Sequence, residues 1–436
     1  MKLIRLVIVF VLLLGQACHV TEQKPKIKLG IDVLKEHNFD ILRGKRVGVL
    51  TSKAGVDSEG YQTWRILKNA PDVEVCAIFA PVHGLDGKFM ALETFFNDEI
   101  DEIPVYSVYA SNSRPKDEWL KNIDTMVVDL QGLGIRFYNY WAFMVYVMAA
   151  CFEHGIDVVV LDRPNPLGGH YIGGPSMDAK YTSIWGPVEG MPLFHGMTIG
   201  ELALYCKEIS NGITAHQQVE TCVIHSGMTV SGETLKKGKL TVVPMEGWTR
   251  DMTWEETGLK WIPTSPYIQN LQSAKEYAFL ALSFIASPIQ GFDNCDFIYF
   301  NADLDRSLPM HSFTSKYTLP QNIIQYVHEV LDARGVSGYS LEVDKNHNAI
   351  NLNVRDIRKT IPGLFGLAIL TLSQRYTKLY FYGDDNYNFL GTHIGDNELL
   401  EKLAKMERID IPYFEKKWKE STANFLKESK RFYLYK

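Results

Sequence analysis

The chain has 436 residues, of which 46% are hydrophobic and 22% charged, and this composition is typical of a globular protein with two or three domains. The formal net charge of −6 excludes the basic surface that nucleic-acid binding requires, so no nucleic-acid partner is expected. The five cysteines after Cys18 form no CxxC pair, and they predict neither a disulfide framework nor a metal site.

The N-terminal segment has the pattern of a signal peptide. Basic residues precede an apolar run over 6–14, and Gly15-Gln-Ala-Cys18 follows it. The run is too short to span a membrane comfortably as a permanent helix. A cysteine directly after a small residue predicts a bacterial lipoprotein acylated at Cys18, although Gly15 stands where Leu is usual and leaves simple secretion open. We expect a signal peptide over 1–18 and a cell-envelope location, either periplasmic or lipid-anchored.

Strand and helix patterns alternate after residue 45. Short apolar runs typical of buried strands end in polar or glycine-containing segments, and longer apolar stretches between them favour helices. This alternation predicts a Rossmann-like α/β fold with a doubly wound parallel sheet. The predicted strands are 45–50, 73–79, 103–108, 125–130, 156–161, 219–224 and 240–245, and the predicted helices are 61–69, 116–121, 139–153 and 198–210.

The second half of the chain predicts a smaller, mixed α/β domain. The charged run Lys236-Lys-Gly-Lys239 is interpreted as a flexible boundary, so the expected domains are 28–236 and 240–436. The predicted strands of the second domain are 297–301, 339–343 and 349–354, and its predicted helices are 271–285, 323–331, 363–376, 397–406 and 412–429.

Polar residues follow the two strands of the central strand–helix–strand unit, 124–166. In open α/β sheets the carboxyl ends of the strands line the ligand crevice, so we place the site there. The first strand is followed by Asp129, Gln131 and Arg136, and the second ends at Asp162, Arg163 and Asn165; His83, Tyr138 and Tyr140 are expected near them.

Each of these residues also has a structural interpretation. Asp162 and Arg163 can form an ion pair, Asn165 can satisfy loop backbone, and the two tyrosines can pack in the core. The mixture suits a neutral ligand with many hydroxyls, such as a sugar, or a small anion bound through Arg136 or Arg163.

Three further patterns narrow the possible chemistry. Gly132-x-Gly134 lacks the third glycine of a dinucleotide-binding loop and instead marks a tight turn. The spacing of the histidines shows no metal-ligand pattern. Thr198 followed by Glu201 predicts a capping box that opens a helix.

Longer motifs carry a family resemblance over nearly the whole chain, from Gly30 to Tyr435. The most specific are the unbroken stretches DRPNPLGG at 162–169 and HGMTIGEL at 195–202; shorter ones are Phe79-Ala-Pro81, His83-Gly84, Asp129-Leu-Gln131, Arg136-Phe-Tyr138 and Tyr140. On these motifs the chain resembles the NamZ-type exo-β-N-acetylmuramidases, bacterial peptidoglycan-recycling glycosidases.

The resemblance implies an N-terminal Rossmann-like catalytic domain, a C-terminal auxiliary domain and a cleft between them. It implies release of N-acetylmuramic acid from the non-reducing end of peptidoglycan fragments, without a metal or an organic cofactor. The implied substrate-binding residues are Asp129, Gln131, Arg136, Tyr138, Tyr140, Asp162, Arg163, Asn165 and His195.

The chain departs from the family at the proposed catalytic position. The family's Pro-Glu-His-Gly reads Pro81-Val82-His83-Gly84 here, Asp86 replaces Arg, and Gly132 replaces Asp. Glu93 matches a family Glu, whereas the family's Gly-Thr-Asn…Ser-Glu-Gly-Arg-Gly-Thr-Thr stretch has no counterpart near 284–297.

Valine cannot transfer a proton, and glycoside hydrolysis usually needs two carboxyl groups. The candidate catalytic residues are therefore Glu93, Asp86 and His83. Two hypotheses stay open with equal weight: an active glycosidase that uses a surviving carboxylate, and a catalytically impaired relative that binds muropeptide or another glycan at the envelope.

Overall fold

The computed structural model describes residues 27–89, 97–109, 113–208, 213–215, 218–220, 223–225, 228–283, 299–300, 312–315, 318–346, 348–376 and 390–436. The strands are β1 (Lys45–Thr51), β2 (Val73–Ala80), β3 (Asp98–Ile100), β4 (Ile103–Ser107), β5 (Thr125–Asp129), β6 (Asp157–Leu161), β7 (Ile172–Ser176), β8 (Pro192–His195), β9 (Ile213–Ala215), β10 (Gln218–Glu220), β11 (Val223–His225), β12 (Met228–Val230), β13 (Leu240–Val243), β14 (Tyr299–Phe300), β15 (Ser312–Thr314), β16 (Tyr339–Asp344) and β17 (Ala349–Val354).

The α-helices are α1 (Gly30–Glu36), α2 (Thr63–Lys68), α3 (Asp117–Leu120), α4 (Tyr140–Glu153), α5 (Ile199–Glu208), α6 (Gly232–Lys237), α7 (Trp254–Thr257), α8 (Leu271–Leu280), α9 (Pro320–Asp332), α10 (Leu364–Tyr376), α11 (Asn397–Ala404) and α12 (Ile411–Ser429). Short 3-10 helices span Asp40–Leu42, Ala179–Tyr181, Ile357–Lys359 and Lys430–Phe432.

A seven-stranded sheet with the order β13-β6-β5-β1-β2-β4-β3 organises the first part of the chain. Its neighbouring strands are parallel, except that β3 runs antiparallel to β4. Strand β1 lies in the centre, and the chain builds outward from it in both directions. This topology confirms the predicted doubly wound α/β fold.

Helix α4 forms the centre of the larger hydrophobic core. Every residue from Tyr140 to Phe152 is buried, and α4 packs against β5, β6, α5 and α6. A helix that is apolar on all sides is stable only when it is covered on all sides. The alternating side chains of β1 show the sheet's two faces, because Leu50 belongs to this core whereas Val47 and Val49 belong to a second cluster on the opposite face.

The second part of the chain contains a four-stranded antiparallel sheet, β14-β15-β17-β16. Helix α8 packs against β17, and α9 packs against α10 and β16. The apolar side chains of α9 and α10, such as Val327 and Leu367, join the same continuous core cluster as α4. The two parts of the chain therefore share one hydrophobic core.

The predicted domain boundary requires a correction. Strand β13 pairs in parallel with β6, with Leu240 opposite Val158, so the first sheet extends beyond the boundary that we predicted between 236 and 240. The charged run at this boundary is also not a flexible linker, since Lys236 and Lys237 end helix α6.

Two other predictions missed local reversals of the chain. In place of the single strand predicted over 219–224, the structure has two short antiparallel strands, β10 and β11, with Val219 opposite Ile224. The stretch between Asp162 and His195, predicted as a loop, contains the antiparallel pair β7–β8. The predicted signal peptide and Glu93 lie outside the described residues. Within the described ranges, no helix is both long enough and apolar enough to cross a membrane.

Candidate functional site

A crevice of about 640 Å³ opens at the carboxyl ends of the central strands. Strand β1 pairs with β2 on one side and with β5 on the other, and Thr51 lies opposite Asp129 where the strands end. This is the switch point at which doubly wound sheets bind ligands. The loop 54–61 and the segment 254–262 contribute most of the lining, together with Gln131 and Arg163 from the strand ends.

A buried ion pair underlies the crevice. The Arg163 guanidinium donates to the Asp129 carboxylate through Nε and through Nη2, the latter over 2.9 Å. The Thr63 hydroxyl donates to the same carboxylate, and Arg163 also donates to the carbonyl oxygen of Val56. Asp129 therefore holds Arg163 and the loop after β1 in place. The alternative that Asp162 pairs with Arg163 is wrong, because the arginine's ionic partner is Asp129.

Asp162 instead caps helix α5 and receives the end of the chain. Its Oδ1 accepts from the Gly200 backbone N–H at 2.8 Å, and its Oδ2 accepts from the Thr198 hydroxyl at 2.8 Å and from the Tyr435 hydroxyl at 2.5 Å. Burial raises the pKa of Asp162 to about 6, because its effect outweighs that of these hydrogen bonds, which lower the pKa.

The predicted capping box at the start of α5 is confirmed. The Thr198 backbone N–H donates to Glu201 Oε2 at 3.1 Å, and the Glu201 backbone N–H donates to Thr198 Oγ1 at 3.2 Å. Glu201 is also paired with Arg250, whose Nη1 lies 2.8 and 2.9 Å from the two carboxylate oxygens. Both side chains are buried, so Glu201 serves the structure.

Gln131 offers the crevice an unused acceptor. Its Nε2 donates to the carbonyl oxygens of Gly132 and Pro164, at 2.9 Å each, whereas its buried Oε1 has no partner in the described part of the chain. Since Gln131 lines the crevice, a ligand hydroxyl or N–H group is a suitable donor for this oxygen.

Asn165 fixes the neighbouring turn. Its Oδ1 accepts from the Leu167 backbone N–H at 3.0 Å, and its Nδ2 donates to the Met197 carbonyl at 3.2 Å. Gly134, at φ +73°, lies against this side chain, and a Cβ there would be 2.2 Å from Asn165 Oδ1. The structure thus agrees with a tight turn at Gly134 and with Asn165 satisfying loop backbone.

His83, Tyr138 and Tyr140 meet where the two parts of the chain join. Both tyrosine hydroxyls donate to the carbonyl oxygen of Thr264, at 3.1 and 2.8 Å, and the rings of His83 and Tyr140 are 6.3 Å apart. His83 Nδ1 lies 2.7 Å from the Phe89 carbonyl oxygen, and burial lowers its pKa to about 4. The imidazole is therefore neutral at neutral pH, with the proton on Nδ1 and a lone pair on Nε2.

Arg136 is completely buried and does not line the crevice. Its Nη1 donates to the carbonyl oxygens of Pro175 in β7 and Met191 just before β8, and its Nη2 to those of residues 393 and 394, at 2.8 to 3.0 Å. Burial lowers the pKa of Arg136 to about 9. Arg136 thus binds the protein's own backbone, and its guanidinium is not placed to bind a small anion in the crevice, as the sequence had suggested. His195 is also buried, and its Nδ1 accepts from the Met197 backbone N–H at 3.1 Å.

Of the catalytic candidates, the two that the structure describes, His83 and Asp86, do not line the crevice. Val82 is only 4% exposed and lies in the apolar core, while Asp86 is exposed and pairs with Lys88 at 2.6 Å. Glu93, the third candidate, lies outside the described residues. Among the residues that the structure describes, no cluster of three His, Cys, Asp or Glu side chains is placed to hold a metal ion.

Sequence reasoning missed the residues that the loop after β1 contributes. Asp57 and Glu59 line the crevice; Asp57 is buried and paired with Lys35 at 2.5 Å, whereas Glu59 is exposed. Tyr61, 64% exposed, and Lys260 also line it. The strand-end rule could have found the residues of 54–61, because this loop directly follows β1, the central strand of the sheet.

Comparison with known proteins places the chain in one family. The family model "Exo-beta-N-acetylmuramidase NamZ, N-terminal" matches residues 47–272, more than half of the chain. The peptidoglycan beta-N-acetylmuramidase NamZ of Bacillus subtilis (strain 168) is 39% identical over 260 residues, which are 59% of this chain and 56% of that protein. The alignment thus spans little more than half the length of this relative.

Two crystal structures of DUF1343 family proteins from Bacteroides fragilis NCTC 9343 share the fold over 94% of this chain and 99% of theirs. One is 27% identical with a TM-score of 0.76, and the other is 23% identical with a TM-score of 0.62. The predicted family membership is confirmed by the family model: the chain belongs to the exo-β-N-acetylmuramidase NamZ family.

Proposed function

We propose that this protein acts on peptidoglycan fragments as an exo-β-N-acetylmuramidase, releasing N-acetylmuramic acid from the non-reducing end. The observation that carries the proposal is the family match over 47–272. This region contains Gln131 and Arg163, which follow strands β5 and β6, and the two segments 54–61 and 254–262 that line the crevice. The 39% identity to the Bacillus NamZ supports the same activity.

The chemistry of the crevice suits this sugar. N-acetylmuramic acid combines hydroxyls, an acetamido group and a carboxylate. Lys260 provides positive charge for the carboxylate, and Gln131 Oε1 provides an acceptor for a hydroxyl or N–H group. Tyr61, which is exposed, offers aromatic surface for a sugar ring. A volume of about 640 Å³ is within the usual range for small-molecule sites.

Proton transfer needs a group other than Val82. The sequence contributes His83, Asp86 and Glu93 as candidates, and the crevice adds Glu59, which is exposed and not held in an ion pair within the described residues. Carboxylates act in glycoside hydrolysis by protonating the leaving oxygen and by activating water or attacking the sugar. We keep these four groups as proposals, and single substitutions of the three carboxylates test each carboxylate in turn.

A specific observation favours a second candidate function, glycan binding without hydrolysis. Val82 is buried in apolar surroundings at the family's catalytic position, and a hydrocarbon side chain cannot carry a proton. Hydrolysis of a chromogenic β-N-acetylmuramide by the wild type and by Val82→Glu distinguishes the two. Turnover by the wild type supports the hydrolase. Turnover only by Val82→Glu means that the wild-type pocket binds the sugar but lacks the catalytic carboxyl group.

We further propose that the signal segment directs the protein to the cell envelope and that Cys18 carries the lipid anchor. A basic start, the apolar run 6–14 and the small-residue cleavage site support this address. Cell fractionation of the wild type and of Cys18→Ala tests the anchor. The wild type is expected with the membranes and the variant in the soluble envelope fraction; equal distribution would contradict lipidation.

A further inference from the structure

A second polar cleft lies outside the crevice, between helix α8 and the β16–β17 hairpin. Its volume is about 330 Å³, and it shares no lining residue with the crevice. Asn351 and Asn353 are two residues apart on β17, so their side chains leave the same face of the strand. Among the described residues that line the cleft, only Leu352 has an apolar side chain; the polar ones are Asn270, Gln272, Ser273, Glu276, Glu342, Asn351 and Asn353.

The buried carboxyl group of Glu276 has one unused oxygen. Glu276 is 1% exposed, and its Oε1 accepts from Gln272 Nε2 at 2.7 Å. Its Oε2 is buried and has no hydrogen-bond partner among the described residues. Burial raises the pKa of Glu276 to about 8, so the group is protonated at neutral pH. Because Oε1 is an acceptor, the proton lies on Oε2, which is then a donor without an acceptor.

The three asparagine side chains around Glu276 have their oxygens engaged. Asn270 Oδ1 accepts from the Ser273 backbone N–H at 2.9 Å, and Asn353 Oδ1 accepts from Gln272 Nε2 at 3.1 Å. Asn351 Oδ1 accepts from the Ser312 hydroxyl at 2.5 Å. Each asparagine therefore keeps its NH₂ group for a ligand, and the cleft presents mainly donors.

This set of donors selects the ligand chemistry. A hard cation requires about six to eight oxygen ligands, and the three asparagine oxygens of the cleft already accept hydrogen bonds. An anion is disfavoured by the carboxylate of Glu342 on the rim. A peptide usually relies on pockets for apolar side chains, whereas Leu352 is the one apolar residue in the described lining of this cleft. A neutral sugar with a carbonyl-bearing substituent satisfies all three conditions.

We propose that this cleft is a second binding site, separate from the crevice, for a neutral N-acetylated sugar whose acetamido carbonyl accepts from Glu276 Oε2. Asn351 and Asn353 donate to the sugar's remaining oxygens. The inference does not depend on hydrolysis at the crevice, because none of the groups involved belongs to the proposed catalytic set.

Calorimetric titration of the full chain with N,N′-diacetylchitobiose tests the proposal. Glu276→Gln keeps a neutral donor and is expected to bind within about twofold of the wild type, whereas Glu276→Leu loses the donor and is expected to bind at least about tenfold more weakly. Asn353→Ala changes an exposed side chain, so it carries little risk for folding, and it is expected to weaken binding by about threefold or more.

Matched controls distinguish binding in this cleft from binding elsewhere on the protein. Asn346→Ala removes an exposed asparagine from the turn of the same hairpin and is expected to leave the affinity unchanged. Cellobiose, which lacks acetamido groups, is expected to bind at least about tenfold more weakly. Loss of affinity in Lys260→Ala but not in Glu276→Leu would place the sugar in the crevice and overturn the proposal. Equal affinity for N-acetylalanine methylamide, or no binding of the disaccharide, would overturn it as well.

Discussion

The hydroxyl of Tyr435, the penultimate residue, donates a 2.5 Å hydrogen bond to the carboxylate of Asp162 at the end of strand β6. The same hydroxyl accepts from the backbone N–H of Met245, just beyond strand β13. The last residues of the chain thus join two neighbouring strands of the first sheet. The C-terminal residues, which belong to the second part of the chain, therefore help to hold the strands on which the crevice is built.

Removal of this hydroxyl is expected to destabilise the whole protein. Tyr435→Phe leaves a buried carboxylate oxygen and a backbone N–H without this partner, which typically costs about 1–3 kcal/mol of unfolding free energy. Urea denaturation at pH 7 measures the loss. Tyr413→Phe is the matched control, because the Tyr413 hydroxyl bonds to Glu398 at an exposed position and little change is expected. Equal effects of the two variants would contradict a specific role for the C-terminal contact.

The ion pair beneath the crevice is expected to be indispensable for stability. Arg163→Met leaves Asp129 buried and uncompensated, and loss of one partner of a buried pair typically costs about 3–5 kcal/mol. Denaturant unfolding of this variant is compared with that of Arg46→Met, which breaks the exposed pair with Asp124. We expect little change in the control, because exposed pairs are well solvated. A small effect of Arg163→Met would show that the site tolerates a lone Asp129.

The turn after β5 provides a test of close packing. Gly134→Ala adds a Cβ 2.2 Å from Asn165 Oδ1, and the buried Asn165 is held by two hydrogen bonds. Gly155 has nearly the same φ, +71° against +73°, but nothing lies within 4 Å of its Cβ position. We expect Gly155→Ala to cost about 1–2 kcal/mol from backbone strain alone, and Gly134→Ala to cost about 2 kcal/mol more. Equal thermal stabilities would refute the steric conflict.

The second cleft predicts a distinct pH dependence. The pKa of Glu276 rises from 4.5 in a model peptide to about 8 in the folded chain, through burial. The unfolded chain therefore releases this proton first, and the associated stability is present below pH 4.5 and is lost as the pH rises towards 8. Glu276→Gln cannot ionise, so it should be more stable than the wild type at pH 8, by at least about 1 kcal/mol, and similar at pH 4.

A matched control exists for this pH effect. Glu329 accepts from Gln325 on the exposed face of α9, with the same four-residue spacing as Gln272 and Glu276. Glu329→Gln should leave the melting temperature unchanged at both pH values. If the wild type and Glu276→Gln lost stability in parallel between pH 4 and pH 8, Glu276 would not be the buried group responsible.

The sequence predicts the parallel sheet well because its strands are short apolar runs with a local signal. Strand β17 and helix α4 were predicted to within one residue at each end. The antiparallel pairs β10–β11 and β7–β8 were missed, because both lie in stretches of mixed polarity. The domain boundary was placed too early because the pairing of β13 with β6 is a long-range contact.

The site was predicted in position but not in detail. The strand-end rule identified Gln131 and Arg163, which line the crevice. The rule could not assign Arg136, whose partners are backbone carbonyls up to 258 residues away. It also suggested Asp162 as the partner of Arg163, whereas the partner is Asp129 at the end of the neighbouring strand.

The most direct test of the proposed function is hydrolysis of a chromogenic β-N-acetylmuramide by the purified wild-type protein. The assay is run beside Val82→Glu, Glu59→Gln, Asp86→Asn and Glu93→Gln. We predict turnover by the wild type and a loss of at least about a hundredfold in one of the three carboxylate variants, the contribution typical of a general acid or base. No turnover by either the wild type or Val82→Glu, with no binding of the sugar to either, would contradict the assignment of this crevice to N-acetylmuramic acid.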